Sequence, residues 1–355
     1  MTSHLFFNPV AAFLTCGLLA FGLSSLIVAT AGLHGRFTMD APGAVQKFHS
    51  EPTPRVGGIA IFLALLAACA MLPEGDARSI LTTILFAGLP AGLIGLLEDV
   101  TKRVRVLVRL VATFASAAVA CWFTGIVVTR LDVPLMDALL VQAPVGLIFT
   151  IFAVGGVSNS INIIDGFHGL ASGTVIICLL AMAAIASAAG DGGLALAALI
   201  VAASVLGFWL VNFPWGRLFL GDGGAYFAGL ALGWFAVLLP MRNADVSPWA
   251  SLLVCAYPIT EVIYSIARRW RTRQSAGSAD RRHFHSLVSV RVVQKRFADF
   301  DPNLQNAAVS LFMWMIALVP AVVAFTFHGR TVPLIVSAFL FLGAYHMCYM
   351  NLSRE

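Results

Sequence analysis

The sequence predicts an all-α, polytopic membrane protein of about eleven transmembrane helices, its N-terminus outside, its C-terminus cytoplasmic and its active site on cytoplasmic loops. Three observations carry this expectation. Only 11% of the 355 residues are charged and 59% are hydrophobic, whereas soluble domains carry about 25% charged residues. Apolar runs near the length that crosses about 30 Å of hydrocarbon recur along the chain. Lysine and arginine also alternate between rich and poor loops, as the positive-inside rule requires.

In chain order, the spans are expected near 10–32, 57–72, 79–97, 106–128, 144–160, 172–190, 194–212, 223–240, 249–267, 306–327 and 331–351. The first ends in "ATA" at 29–31, which resembles a signal-peptide cleavage site. It is read as a retained helix, because no Lys or Arg precedes it and the apolar run is too long for a signal segment. The span at 57–72 is short, and the region 144–173 allows more than one division. With the N-terminus outside, 18 of the 22 Lys and Arg fall inside, leaving only Arg78, Arg130, Arg242 and Arg330 outside. The net charge of +5 then follows from membrane topology and gives no argument for nucleic acid. Cys16, Cys69, Cys121, Cys178, Cys255 and Cys348 all fall within spans and form no CxxC pair. They are expected to be small buried hydrophobes, with no disulfide framework and no zinc site. Residues 1–355 are expected to form a single integral membrane domain.

The outside connections are short and bland, but five inside stretches are not: "MDAPGAVQKFHSEPTPRVGG" (39–58), "GLLEDVTKR" (95–103), "NSINIIDGFHGLASG" (159–173), "FPWGRLFLGDGGAYFAG" (213–229) and "DRRHFHSLVSVR" (280–291). Acids, amides, His, Lys and Gly gathered on one side of a membrane describe one composite polar site. Glu98 and Asp99 end the third span, and Asp222, among Gly221, Gly223 and Gly224, opens the eighth. Hard oxygen ligands of this kind suit Mg²⁺, or Mn²⁺, which shares phosphate oxygens and keeps several waters. Glu98 and Asp99 alone are equally readable as solvated interfacial acids. A helix beginning at glycines lets its backbone approach an anion closely.

Lys102 follows Asp99 by three residues and is either a phosphate partner or an interfacial anchor, the role expected of Arg103, Arg105 and Arg109. His283 and His285 are two apart, so on a helix they would not face one another. With Arg281 and Arg282 before them they fit a phosphate better than zinc. Asn159, Asn162 and Asp165, spaced by three, share one helical stripe and could bind the polar edge of a base or sugar. Small-residue helix packing explains the glycines beside them but not Asp165.

Together the five stretches resemble the polyprenyl-phosphate N-acetylhexosamine-1-phosphate transferase family. "HSEPTPRVGG" is similar to its H-x-x-P-T-P-R-x-G-G loop, "EDVTK" to D-D-x-x-K, and "NSINIIDGFHGL" to N-x-x-N-x-x-D-G-x-D-G-L. "FLGDGGAYFAG" is similar to F-x-G-D-x-G-S-x-x-x-G, and "DRRHFHSL" to D-R-x-H-x-H-H-L. The chain departs from these patterns at Glu98, His168, Ala225, Arg217 and Ser286. The last motif looks closer to the branch that transfers GlcNAc-1-phosphate than to the phospho-MurNAc-pentapeptide translocases, which remain the alternative.

The resemblance implies a UDP-N-acetylhexosamine donor, an undecaprenyl phosphate acceptor, UMP as the leaving product and a place in the bacterial inner membrane, with a homodimer as a further expectation. It implies catalytic roles for Glu98, Asp99, Lys102 and Asp165, and Mg²⁺ (or Mn²⁺) on Asp222 and Asp99. It assigns substrate contacts to Lys47, His49, Arg55, Asn159, Asn162, His168, Arg217, Arg282, His283 and His285. A transporter would instead place acids at mid-span and show two similar halves. Only Glu261 lies mid-span away from the motifs, and no internal repeat is visible. A CDP-alcohol phosphatidyltransferase would need an Arg and later acids after "DG", which are missing.

Overall fold

The computed structural model describes residues 9–40, 52–272 and 282–354. Among the described residues the regular structure is helical except for a two-residue antiparallel pair, β1 (Met39–Asp40) with β2 (Thr53–Pro54). The helices are α1 (Pro9–Ala29), α2 (Ala31–Thr38), α3 (Gly57–Met71), α4 (Asp76–Thr101), α5 (Val106–Thr124), α6 (Pro134–Leu140), α7 (Ala143–Ile164), α8 (Leu170–Ala188), α9 (Gly192–Asn212) and α10 (Gly221–Arg242). There follow α11 (Pro248–Val254), α12 (Ala256–Thr272), α13 (Phe284–Val288), a π-turn over Ser289–Val293, α14 (Gln294–Arg296), α15 (Pro302–Phe327) and α16 (Thr331–Arg354).

Among the described residues, nine helices are long and apolar enough to cross a membrane, so the chain is a multi-pass membrane protein. Two expected spans differ from a simple crossing. Residues 249–267 form two helices, α11 and α12, bent by 73°. The break follows from Pro258, which lacks a backbone N–H and crowds the carbonyl four residues earlier, at Val254. The expected span at 57–72 is the fifteen-residue α3, whose length of about 22 Å falls short of the hydrocarbon thickness.

The centre of the bundle is α10, of which nearly every residue is buried. It packs on α4 and α7, while α9 fills the space between α1 and α8. Small residues permit the closest approach: a Cβ on Gly95 would stand 2.5 Å from the backbone nitrogen of Gly223, which brings the end of α4 against the start of α10. Pro90 interrupts α4 nearby, and the N–H of Ala91 donates instead to Ser116 Oγ of α5 at 3.0 Å, as a freed backbone group in an apolar bundle must. Five of the six cysteines are buried as expected; Cys348, on α16, is exposed.

Candidate functional site

The first turn of α10 organises the site. Gly221 adopts φ +76°, a left-handed conformation that favours glycine. A Cβ there would lie 2.5 Å from the Asp99 carboxylate. That carboxylate, at the end of α4 and fully buried, accepts from the backbone N–H of Asp222 (2.8 Å) and of Gly223 (2.9 Å). Asp99 thus caps the start of α10 from another helix, an anion placed where the helix dipole is positive. Each of its oxygens accepts one backbone hydrogen bond and keeps a further lone pair, so the expected metal on Asp99 and Asp222 is a matter for proposal.

Arg55, entering from the loop after β2, bridges three acids. Its Nε lies 3.1 Å from Asp99, one terminal nitrogen 3.1 Å from Asp222 and the other 3.8 Å from Asp40. Burial works against its charge, but these acids outweigh that cost and hold its pKa above the ordinary arginine value. Asp222 is further bound by Arg109 of α5 through its second oxygen and by Asn162 Nδ2 at 3.2 Å. Arg109, expected to anchor at the membrane surface, instead points inward to this acid. Asn159, a turn earlier on α7, donates to Thr113 Oγ1 and to the Gly155 carbonyl, both at 2.8 Å.

Asp165 follows α7 directly and is half-buried beside these groups. Among the described residues its carboxylate accepts no hydrogen bond and forms no ion pair. Burial, together with the Asp222 and Asp99 charges, pushes its pKa up to about 7 against the pull of Arg55. Asn159, Asn162, Asp165, Arg109, Tyr226, His283 and His285 line one cavity of about 860 Å³. It runs between α7, α10 and α12 to Pro240 and Met241 at the far end of α10, and apolar side chains form most of its wall.

His283 and His285 do face one another. His283 is extended and precedes α13, so the helical spacing does not apply to it. Their rings stack with centroids 5.1 Å apart and 7° between planes. Between them and the bundle stands Glu261 of α12, 3.4 Å from Nδ1 of each. The His285 ring approaches the "DG" turn, with Nε2 3.7 Å from where a Gly166 Cβ would sit.

Other expected site residues stand apart from this cavity. Glu98 turns away and accepts from the Val104 N–H at 2.7 Å, closing the α4–α5 turn. Lys102, in a left-handed conformation, donates to the Met39 carbonyl at 3.0 Å and lies 3.6 Å from Asp40. It therefore joins the acid cluster only through Asp40 and Arg55. His168 is buried, 2.9 Å from the Pro214 carbonyl, and with Arg217 it lines a separate cavity of about 230 Å³. Arg282 is exposed, and its carbonyl accepts from Arg268 and Tyr349. Lys47 and His49 lie outside the described residues.

The donor set bears on a divalent cation. Among the described residues, no three His, Cys, Asp or Glu side chains form a ready-made metal cage. Mg²⁺ does not need one, since it takes one or two carboxylates and completes its shell with water and substrate phosphate. Asp165 with its unengaged oxygens fits that requirement in chemistry, and Asp222 beside it would ligate through the lone pairs that Arg55, Arg109 and Asn162 leave.

Comparison with known proteins follows the same chain region. Residues 81–240 match the model of glycosyl transferase family 4. A Thermotoga maritima protein named undecaprenyl-phosphate alpha-N-acetylglucosaminyl 1-phosphate transferase is 30% identical over 254 residues, covering 72% of this chain and 74% of that one. A Bacillus subtilis protein named a probable undecaprenyl-phosphate N-acetylglucosaminyl 1-phosphate transferase is 28% identical over 68% of this chain and 66% of its own length. A Mycobacterium leprae decaprenyl-phosphate N-acetylglucosaminephosphotransferase is 28% identical over 68% and 67%. The match thus leaves about a third of the Bacillus and Mycobacterium relatives uncovered.

Proposed function

The chain belongs to the glycosyl transferase family 4 proteins that act as polyprenyl-phosphate N-acetylhexosamine-1-phosphate transferases, and from this premise we infer that it transfers GlcNAc-1-phosphate to a polyprenyl phosphate. The donor in this reading is a UDP-sugar, the acceptor undecaprenyl phosphate, and the product a polyprenyl-diphospho-sugar with release of UMP. The observation that carries it is a cavity joining Asp165, two amides and two imidazoles to an apolar trench. A polar donor and a lipid acceptor must meet at such a junction.

The trench accompanies α10 from Tyr226 to Met241, a rise of about 22 Å, enough for several isoprene units to lie beside the helix. The same reading takes all eleven expected spans, the bent α11–α12 pair and short α3 included, as membrane elements of a bacterial inner membrane. It places the N-terminus outside and the acid end of α10 in the cytoplasm, where soluble nucleotide sugars are found.

The chemistry is in-line displacement. An oxygen of the lipid phosphate attacks the phosphorus that bears the sugar; the bond to UMP breaks as the new phosphoanhydride forms. Such transfers depend on positioning and charge neutralisation more than on covalent help. Asn159 and Asn162 would present amides to the donor, and Arg55 and Arg109 guanidinium charge to its phosphates. A phosphomonoester loses its second proton near pH 6, so the acceptor phosphate is mostly dianionic at neutral pH and the transfer needs no strong general base. Asp99 positions the α10 N-terminus, and Lys102 acts through Asp40 on Arg55. Asp222 and Asp165 would hold Mg²⁺, which when bound neutralises the diphosphate and the departing UMP.

The test is UMP release by purified protein with undecaprenyl phosphate and Mg²⁺, across UDP-GlcNAc, UDP-GalNAc and UDP-MurNAc-pentapeptide. Release from UDP-GlcNAc that requires both lipid and cation supports the reading. Release only from the pentapeptide donor would move the chain to the peptidoglycan branch, and none from any donor would overturn it.

A further inference from the structure

A buried acid in this site has no part in the transfer as described. Glu261 lies on α12, just beyond the 73° bend, and is 1% exposed. An isolated carboxylate in such surroundings is costly, and it persists only where partners compensate it. Its partners are two imidazoles. Oε2 is 3.4 Å from Nδ1 of His283 in a hydrogen bond, and Oε1 accepts from the backbone N–H of His285 at 3.4 Å, with the Nδ1 of that ring 3.4 Å away at ion-pair distance. Tyr257 and Tyr345, both buried, are the other titratable groups close enough to feel its charge.

The loop carrying the two histidines is fixed from outside as well. Arg268 and Tyr349 donate to the Arg282 carbonyl at 3.0 and 3.1 Å, and Phe284 packs on Tyr345 with centroids 4.8 Å apart. Backbone and rings are therefore both constrained, and the carboxylate selects which ring nitrogen faces the cavity. A ring whose Nδ1 meets a carboxylate presents Nε2 on its opposite side. For His285 that atom lies beside Gly166, next to Asp165.

We propose that Glu261 is a positioning residue of the transferase centre, clamping His283 through its Nδ1 and His285 through its backbone N–H and the charge facing its Nδ1, so that both Nε2 atoms face the donor's phosphates. The proposal rests on the transferase reading for its reaction but not for its geometry. A carboxylate that holds the far nitrogen of a working imidazole fixes tautomer and orientation together, and its loss typically costs 10–100-fold. Two rings clamped by one acid also explain a parallel stack that the sequence spacing did not suggest. The bend at Pro258 acquires a purpose, since it carries Glu261 to the histidine loop.

The test begins with ¹⁵N-histidine resonances of the detergent-solubilised protein, assigned with His283→Asn and His285→Asn. The expected result is a proton on Nδ1 of both rings in the wild type, with at least one ring populating the other tautomer in Glu261→Gln. Either ring lacking an Nδ1 proton in the wild type would overturn the proposal, without need of a folded variant. Kinetics with UDP-GlcNAc supply the second arm: kcat falls 10–100-fold in Glu261→Gln, the KM for polyprenyl phosphate holds, and Glu261→Asp recovers part of the loss. Equal losses in Gln and Asp with unchanged tautomers would overturn it. Absence of UMP release by the wild type counts against the transferase reading alone, and the resonances still decide the place of Glu261.

Discussion

At the scale of single residues, the site is governed by how few charges it contains and how completely they are shared. Asp165 is the exception, and its burial has a consequence in pH. An unfolded chain carries an ordinary aspartate that has lost its proton above about pH 4, while the folded chain keeps that proton up to about 7. The folded state thus binds more protons between these values, so stability falls as pH rises across the window and levels off above it. Thermal unfolding of the cation-free protein at pH 5 and pH 8 should show a smaller loss in Asp165→Asn than in the wild type; parallel losses would contradict it. Arg109 offers a second case. Arg109→Met should lower transfer at least tenfold, whereas Arg103→Met, at an exposed position, should stay within about twofold when UMP release is measured. Neither Arg109 nor Glu261 was legible as a site residue. An arginine among interfacial arginines carries no mark of turning inward, and Glu261 is separated from its histidines by more than twenty residues. Asn162, Asp165 and Asp222 were legible by their spacing and neighbouring glycines and Arg55 by its motif, and the structure brings the four together.

At the scale of elements, the helices were readable from apolar length, and their interruptions were not. A hydropathy pattern counts residues between polar loops and is blind to one proline, so 249–267 reads as one span although Pro258 breaks it. The roles of α15 and α16 were equally invisible, since their sequences are merely apolar. In the structure they brace the loops of the site: Asn306 accepts from the His168 N–H and Ser310 donates to its carbonyl, both at 2.7 Å, while Tyr349 holds the Arg282 carbonyl. The far end of α10 is held in a corresponding way. One terminal nitrogen of Arg130 reaches the carbonyls of Pro240, Asn243, Ala244 and Val246 at 2.8–3.1 Å, and the other meets Asp132 at 2.7 Å. Arg130→Met leaves those carbonyls without this donor and should cost about 1–3 kcal/mol, read as a lowered midpoint of unfolding. An unchanged midpoint would show that water satisfies them equally well.

At the scale of the whole molecule, the account joins a topology to a reaction. The acid end of α10 and the Arg130 end lie on opposite sides of the bundle, about 30 Å apart along a 22-residue helix. The arginine bias that suggested the orientation has a direct check, since the loop at Glu74 and the turn at Arg103 should be labelled from opposite faces of intact cells. Cysteines placed there in a background lacking the exposed Cys348 should react with an impermeant maleimide from outside at 74 and only after lysis at 103. The reverse pattern would invert the molecule and remove the cytoplasmic donor from the site. The most direct measurement remains UMP release from UDP-GlcNAc and undecaprenyl phosphate by Asp165→Asn, Asp222→Asn and Asp245→Asn. Asp245 is exposed beyond the far end of α10. The account predicts losses of at least a hundredfold for the first two and activity within about twofold for the third; full activity in Asp165→Asn and Asp222→Asn would place the reaction elsewhere.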